Sequence, residues 1–183
     1  AAHGAFYVFY SIHLAGYGYS KTEVGSLWAL GVLAEIAVFM LMARLSLRFS
    51  LRAILLASFA AAVLRFLLMG WGVESVAIMV LVQLMHGLTF GAYHASAIAA
   101  VNAWFPGRAQ ARGQALYSSL SFGAGGLLGA LISGYTWESL GAGWTFTLSA
   151  VFGGIGFWLV WNWVGKNAAV DAQGRKKTVD PVQ

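Results

Sequence analysis

The stretch LVQLMHGLTFGAYHAS, residues 81–96, decides how this sequence folds, because it places polar side chains inside an apolar run over residues 74–105. The run is long enough to cross the hydrocarbon core of a bilayer, which takes about 20 residues of helix. Two histidines, a glutamine and a tyrosine are energetically costly in hydrocarbon, and ionisable residues placed there mark functional sites. The stretch therefore predicts a membrane-spanning helix with a polar face.

The composition of the whole chain also indicates a membrane protein. Of its 183 residues, 60% are hydrophobic and 9% are charged, against about 25% charged in soluble domains. We therefore expect the lipid bilayer to surround it. The chain contains no cysteine, which excludes disulfide and thiol chemistry. The net charge of +5 does not indicate nucleic-acid binding, because the basic residues lie at the ends of apolar segments.

Six apolar segments predict six transmembrane helices, at residues 1–18, 23–44, 51–70, 75–104, 113–136 and 143–164. Long apolar runs without strict alternation favour helices over a barrel. The first segment opens at Ala1 without a methionine or a polar lead-in, so we expect a fragment of a longer chain. We assign residues 1–165 to the helical domain and residues 166–183 to a polar tail.

The distribution of basic residues predicts the orientation of the helices. Apart from Lys21 and Arg65, every lysine and arginine lies at the second break, at the fourth break or in the tail. The positive-inside rule then places these loops and both ends of the chain in the cytoplasm.

Polar and aromatic side chains share one face on two of the helices. On the fourth helix this face holds Gln83, His86, Thr89, Phe90 and Tyr93. On the first helix it holds His3, Phe6, Tyr7, Tyr10, His13 and Tyr17. Rings with polar tips suit the wall of a wet cavity. The alternative is an aromatic belt at the membrane surface, which accounts for Tyr17 and Tyr19.

Small residues recur every four positions on the fourth and fifth helices. The two series are Gly87, Gly91, Ala95, Ala99 and Ala103, and Ser121, Gly125, Gly129 and Ser133. Such series let helix backbones approach closely in lipid. They predict a tight bundle and carry no further functional information.

Three ionisable residues lie within predicted spans. Glu35 and His86 are each 12 residues from the outer end of their segment, about 18 Å deep at 1.5 Å per residue. Arg65 lies nearer the outer surface, but side chains lean towards the N-terminus of their own helix, so Arg65 and Glu35 are expected to reach towards each other. The alternatives are an arginine that extends to the headgroups and a structural histidine. The pKa of a buried Glu rises when a cationic partner moves away and falls when it returns. Such a Glu would bind and release a proton, as proton-coupled transport requires.

Other classes of site fit poorly. His86 and His94 are about 12 Å apart along one helix and have no acidic partner one turn away, so we expect no metal or other cofactor. No histidine follows residue 94 and no G-x-S-x-G motif is present, which disfavours an intramembrane serine protease or another enzyme. The glycine-rich stretches lie inside apolar spans and lack the G-K-[ST] of a phosphate loop.

The six segments resemble half of a major facilitator superfamily transporter, which is built of two six-helix halves, each made of two inverted three-helix repeats. The stretches WALGVLAEIAVF, LMHGLTFGAYHASAIAAVNAWFPG and RGQALYSSLSFGAGGLLGALISGYTWESLG resemble the C-terminal half of its 3-phenylpropionate transporter subfamily. This subfamily is related to oligosaccharide and nucleoside proton symporters. The resemblance covers residues 1–165 and implies that an N-terminal half completes the protein.

The resemblance also implies roles for the ionisable residues. In lactose-permease-like symporters, proton coupling uses a Glu, an Arg and a His on the helices that match those of Glu35, Arg65 and His86. Three residues after the His, those symporters have a Glu where this chain has Thr89. Glu35 is therefore the expected protonation site, and Arg65 its counter-ion or a clamp for an anionic substrate.

The resemblance thus implies a proton-coupled transporter of a bacterial inner membrane that imports a small organic solute, an aromatic carboxylate such as 3-phenylpropionate. Its proton-coupling residues would be Glu35, Arg65 and His86. Its substrate cavity would be lined by Tyr7, Tyr10, Gln83, Thr89 and Tyr93. A sugar or nucleoside symporter of the same fold is the alternative, and a non-transporting membrane scaffold is a further one. His94 and Asn102 are weaker candidates for an inner gate.

Overall fold

The computed structural model describes residues 1–164 of the chain, and these form six helical segments joined by short turns. The segments are α1 (Gly4–Gly16), α2 (Lys21–Arg48), α3 (Leu51–Trp71), α4 (Val76–Trp104), α5 (Gly107–Leu140) and α6 (Ala142–Trp163). No strand occurs in this part of the chain. The predicted all-α architecture is therefore confirmed, while the predicted tail, residues 166–183, lies outside the described residues.

Five of the six segments, α2 to α6, are long and apolar enough to cross a membrane. The segment α1 has 13 residues, fewer than the roughly 20 that a complete span needs. Two predicted boundaries were too narrow: α2 continues to Arg48, and α5 runs over Gly107–Leu140. Polar and basic residues extend both helices past their apolar cores, because a helix does not have to end where its hydrocarbon-facing part ends.

Serine side chains begin three of the helices. The Ser20 hydroxyl accepts from the Glu23 backbone N–H while the Glu23 carboxylate accepts from the Ser20 backbone N–H, which completes a capping box at the start of α2. At the starts of α3 and α4, the hydroxyls of Ser50 and Ser75 accept from the backbone N–H groups of Ala53 and Ile78. Each serine satisfies an N–H that would otherwise lack a partner at the first turn.

Two helices contain a π-helical turn that the sequence analysis did not predict. In α4 this turn spans Gly87–Ala92, and in α5 it spans Ser119–Ala124. A π turn holds one residue more than an α turn, so it rotates the side chains that follow it. Both turns lie where the helices approach the same cavity.

The small residues of α4 let it pack closely on α2. Gly87 lies against the backbone of Ala34, and Gly91 lies against the side chain of Glu35. In α5, Gly129 lies against the backbone of Ala1 at the start of the chain. Helix α3 packs along α6 over much of its length. These contacts fix α4 between α2 and α3, which sets the geometry of the polar residues described next.

Substitution of Gly87 by alanine is expected to destabilise the protein. A Cβ at this position would lie 2.5 Å from the Ala34 carbonyl oxygen, so α4 must move away from α2 at a cost of about 1–3 kcal/mol. Thermal unfolding of the purified full-length protein in detergent measures the effect. The matched control is Gly134→Ala, whose Cβ would meet open space and which should be neutral or mildly stabilising. Equal unfolding temperatures for the two variants would contradict this packing.

Candidate functional site

A cavity of about 460 Å³ lies between α1, α3, α4, α5 and α6. Its wall is largely apolar, with a few polar side chains that face one another across the space: His3, Tyr7, Ser58, Thr89, Tyr93, Tyr117 and Ser121. A mostly apolar cavity of this size with a few placed polar groups is typical of a small-molecule site. Of the predicted cavity residues, Tyr7, Thr89 and Tyr93 lie in this wall.

Tyr10 and Gln83, also predicted to line the cavity, do not face it. Both are fully buried, and the Tyr10 ring packs against the rings of Phe6 and Trp28. The prediction treated Tyr7 and Tyr10 as one face, but residues three apart on a helix differ by about 60° in direction. That rotation leaves Tyr7 51% exposed and turns Tyr10 into the core. The Tyr10 hydroxyl and the Gln83 amide form no hydrogen bond within residues 1–164.

Arg65 of α3 is completely buried. Its Nε donates to the Val82 carbonyl oxygen at 2.9 Å, and its Nη1 lies 3.4 Å from both His3 Nε2 and Thr89 Oγ1. The guanidinium also lies over the Phe6 ring, 4.4 Å from its centroid, an arrangement that stabilises a desolvated cation. Because His3 and Thr89 both line the cavity, Arg65 sits directly behind the polar part of its wall.

Glu35 of α2 pairs with His86 of α4, at 3.7 Å between Glu35 Oε2 and His86 Nε2. The Glu35 side chain is 21% exposed and that of His86 is 7% exposed. The expected approach of Arg65 to Glu35 was wrong for this conformation, since no ion pair joins them in the described chain. The reason is position: the Val82 carbonyl of α4 holds Arg65, whereas the ring that reaches Glu35 on α2 is that of His86. The three residues therefore meet through α4, not directly.

The remaining predicted residues of α4 lie further along the same helix. The rings of His86, Phe90 and His94 stack in sequence, with centroids 5.4 and 5.8 Å apart. His94 Nδ1 is 3.1 Å from the Tyr117 hydroxyl, and Gln114 donates to Asn102 at 2.9 Å. His94 and Asn102 thus tie α4 to α5.

Sequence reasoning missed three contributions to the site. It placed His3 on a polar face but not beside Arg65, gave Ser121 only a packing role and gave Tyr117 none, although both line the cavity from α5. One sequence signal could have pointed to α5: the pentapeptide LTFGA at residues 88–92 recurs as LSFGA at residues 120–124. No group of three histidines or acidic residues suited to a metal occurs among residues 1–164.

An all-helical membrane bundle with a largely apolar cavity and ionisable residues inside its spans is consistent with a piece of a membrane transporter. The chain belongs to the MFS_1 like family, whose model matches residues 1–148. Its six helices correspond to half of a major facilitator superfamily fold. The chain is thus part of a transporter family and is not an enzyme.

A curated relative of this chain is the "Probable 3-phenylpropionic acid transporter" of Escherichia coli (strain K12). The two are 35% identical over 152 residues, which is 82% of this chain and 40% of the relative. The match therefore covers less than half the length of the relative. No solved structure matches it significantly.

Substitution of Gln83 by leucine is expected to stabilise the protein by about 1 kcal/mol, because it removes a buried amide that has no partner. The change in unfolding temperature of the purified protein checks this. Gln114→Leu is the matched control, since it removes a hydrogen bond to Asn102 and should lower stability by about 0.5–1 kcal/mol. Destabilisation by Gln83→Leu equal to that of the control would indicate that the amide is satisfied.

Proposed function

We propose that this chain is the C-terminal half of a proton-coupled secondary transporter of a bacterial inner membrane, with residues 1–165 as its helical domain and both ends in the cytoplasm. The transporter imports a small organic solute, an aromatic carboxylate such as 3-phenylpropionate. The family, the named relative and the basic residues at one set of helix ends support this proposal. An N-terminal half of similar size completes the protein, because alternating access needs a second bundle to move against.

The contact between Glu35 and His86 is the observation that supports proton coupling. A carboxylate inside a span is stable only when it is protonated, paired or hydrated. Glu35 is paired across the α2–α4 interface at 3.7 Å and keeps a fifth of its side chain accessible. Ionised Glu35 attracts the dipole of the neighbouring His86 ring more strongly than the neutral acid does, so proton binding is linked to how closely α2 packs on α4.

The cavity beside Arg65 supports the assignment of an aromatic carboxylate as the substrate. Its apolar wall suits an aromatic ring, and the guanidinium behind His3 and Thr89 suits a carboxylate. Nη2 of Arg65 has no hydrogen-bond partner within residues 1–164, so the group retains capacity to donate. A sugar or nucleoside symporter is the second candidate, because hydroxyls of Tyr7, Tyr93 and Tyr117 also line the cavity and could bind a neutral solute.

Glu35→Gln is expected to abolish accumulation of labelled 3-phenylpropionate by vesicles of the full-length protein under an imposed pH gradient, while exchange across the membrane continues. Glutamine cannot release or bind the coupling proton, yet it keeps the size of the side chain. The matched control is Glu74→Gln, in an exposed turn, which should accumulate substrate as the wild type does.

Accumulation by Glu35→Gln at the wild-type level would show that the coupling proton is carried elsewhere. If that variant were also more stable than the wild type, the non-transporting scaffold would gain support, since removal of an unneeded buried charge relieves desolvation.

Arg65→Lys is expected to weaken binding of an aromatic carboxylate about 10- to 100-fold, because a lysine cannot reproduce the planar, charge-assisted contact. Competition binding to the purified full-length protein measures the change. The control is Arg52→Lys, since Arg52 also donates to a backbone carbonyl and lies over a ring, that of Trp161, but away from the cavity. A neutral sugar that binds while Arg65→Lys leaves affinity unchanged would favour the symporter alternative.

A further inference from the structure

Phe90 and Phe122 occupy equivalent places in the two π-helical turns. Each is the third residue of the repeated pentapeptide, LTFGA in α4 and LSFGA in α5, and each π turn encloses its copy. The two rings face each other across the α4–α5 interface, with centroids 6.3 Å apart and planes 57° apart. Both rings line the cavity. Two similar pentapeptides therefore each place a phenylalanine ring in the cavity wall, and each does so from a π turn.

The π turns explain why these rings point into the cavity. A π turn disrupts the regular α hydrogen-bond pattern, is rare, and is frequently found at functional sites. Here each turn inserts one extra residue immediately beside the cavity, which redirects the aromatic side chain.

The neighbouring rings hold Phe90 and Phe122 in place. The His94 ring stacks on Phe90 at 5.8 Å with an interplanar angle of 8°, and it meets Phe122 edge-on at 5.8 Å. His94 is itself fixed by its contact with the Tyr117 hydroxyl at 3.1 Å, and Tyr117 packs edge-on against Phe122. The pair is therefore part of a cluster of four packed rings.

The polar end of the cavity begins one residue away. Thr89 precedes Phe90 in the chain, and its hydroxyl lies 3.4 Å from Arg65 Nη1. The same turn of α4 thus presents a hydroxyl backed by a guanidinium and, beside it, an aromatic ring. A solute with an anionic group and a flat apolar ring a short distance apart matches this order of groups.

We propose that Phe90 and Phe122, positioned by the two π turns, form a subsite that binds the aromatic ring of the solute. This subsite selects an aromatic ring over a saturated ring of similar size. This inference rests on the proposed function and adds the residues that determine specificity. An aromatic ring gains edge-to-face contacts with both phenylalanines that a saturated ring cannot make, which predicts a preference of about three- to tenfold.

The test uses the full-length transporter in proteoliposomes and compares how strongly 3-phenylpropionate and 3-cyclohexylpropionate inhibit uptake of labelled 3-phenylpropionate. The ratio of the two inhibition constants reports ring selection and is independent of how much protein folds. Phe90→Leu and Phe122→Leu should bring the ratio close to one, while Phe90→Tyr, which keeps the ring, should retain it. The matched control is Phe152→Leu, in the same cavity wall but on α6, which should leave the ratio unchanged.

The outcomes separate this inference from the proposed function. If the wild type binds 3-phenylpropionate but the leucine variants keep the wild-type ratio, the ring subsite is wrong and the transport function stands. If Phe152→Leu lowers the ratio as much as the other two, selection belongs to the whole cavity and not to the π turns. If the wild type binds neither this acid nor the neutral 3-phenylpropanol, both proposals fall together.

Discussion

The guanidinium of Arg65 lies where α1, α3 and α4 meet. The groups that contact this buried cation determine how α1 and α4 are positioned relative to α3. A cation buried in a membrane bundle is unfavourable unless backbone, polar and aromatic groups surround it. Here α4 supplies the Val82 carbonyl, α1 supplies the Phe6 ring, and α3 itself supplies the ring of Phe66. Moving any one of these helices would expose the cation to hydrocarbon, so Arg65 fixes α1 and α4 relative to α3.

Helix α4 then connects the two ionisable centres. One side of it meets Arg65 through Val82 and Thr89, and the other meets Glu35 through His86. An anion that bound near Thr89 would compete for Arg65 Nη1 and alter the position of α4, and therefore the His86–Glu35 contact. By thermodynamic linkage, protonation of Glu35 would change anion affinity by the same factor. A direct Glu35–Arg65 pair would not need α4 to move, so the observed arrangement is better suited to couple two ligands through one helix.

The sequence predicted the parts of this structure that depend on local chemistry. Apolar runs define helices in a membrane because every backbone polar group must be satisfied within the segment, and the six predicted segments match six helical segments in order. Parts that depend on distant neighbours were not predicted. Whether Tyr10 faces the core or the cavity, and whether Glu35 meets His86 or Arg65, is decided by which helices pack together. The π turns leave no hydrophobic periodicity of their own, and only the repeated pentapeptide hints at them.

The exposed surface of α2 indicates that a second half covers this side of the bundle. Of the long helices, α2 and α5 are among the least buried, and both present large apolar side chains outwards. Lipid can cover an apolar surface, but Glu35, still 21% exposed on α2, cannot face lipid without a large cost in free energy. That side of α2 must therefore face water or protein. An aqueous path between two halves provides both, and it would give Glu35 access to protons from the side that lies opposite Arg65.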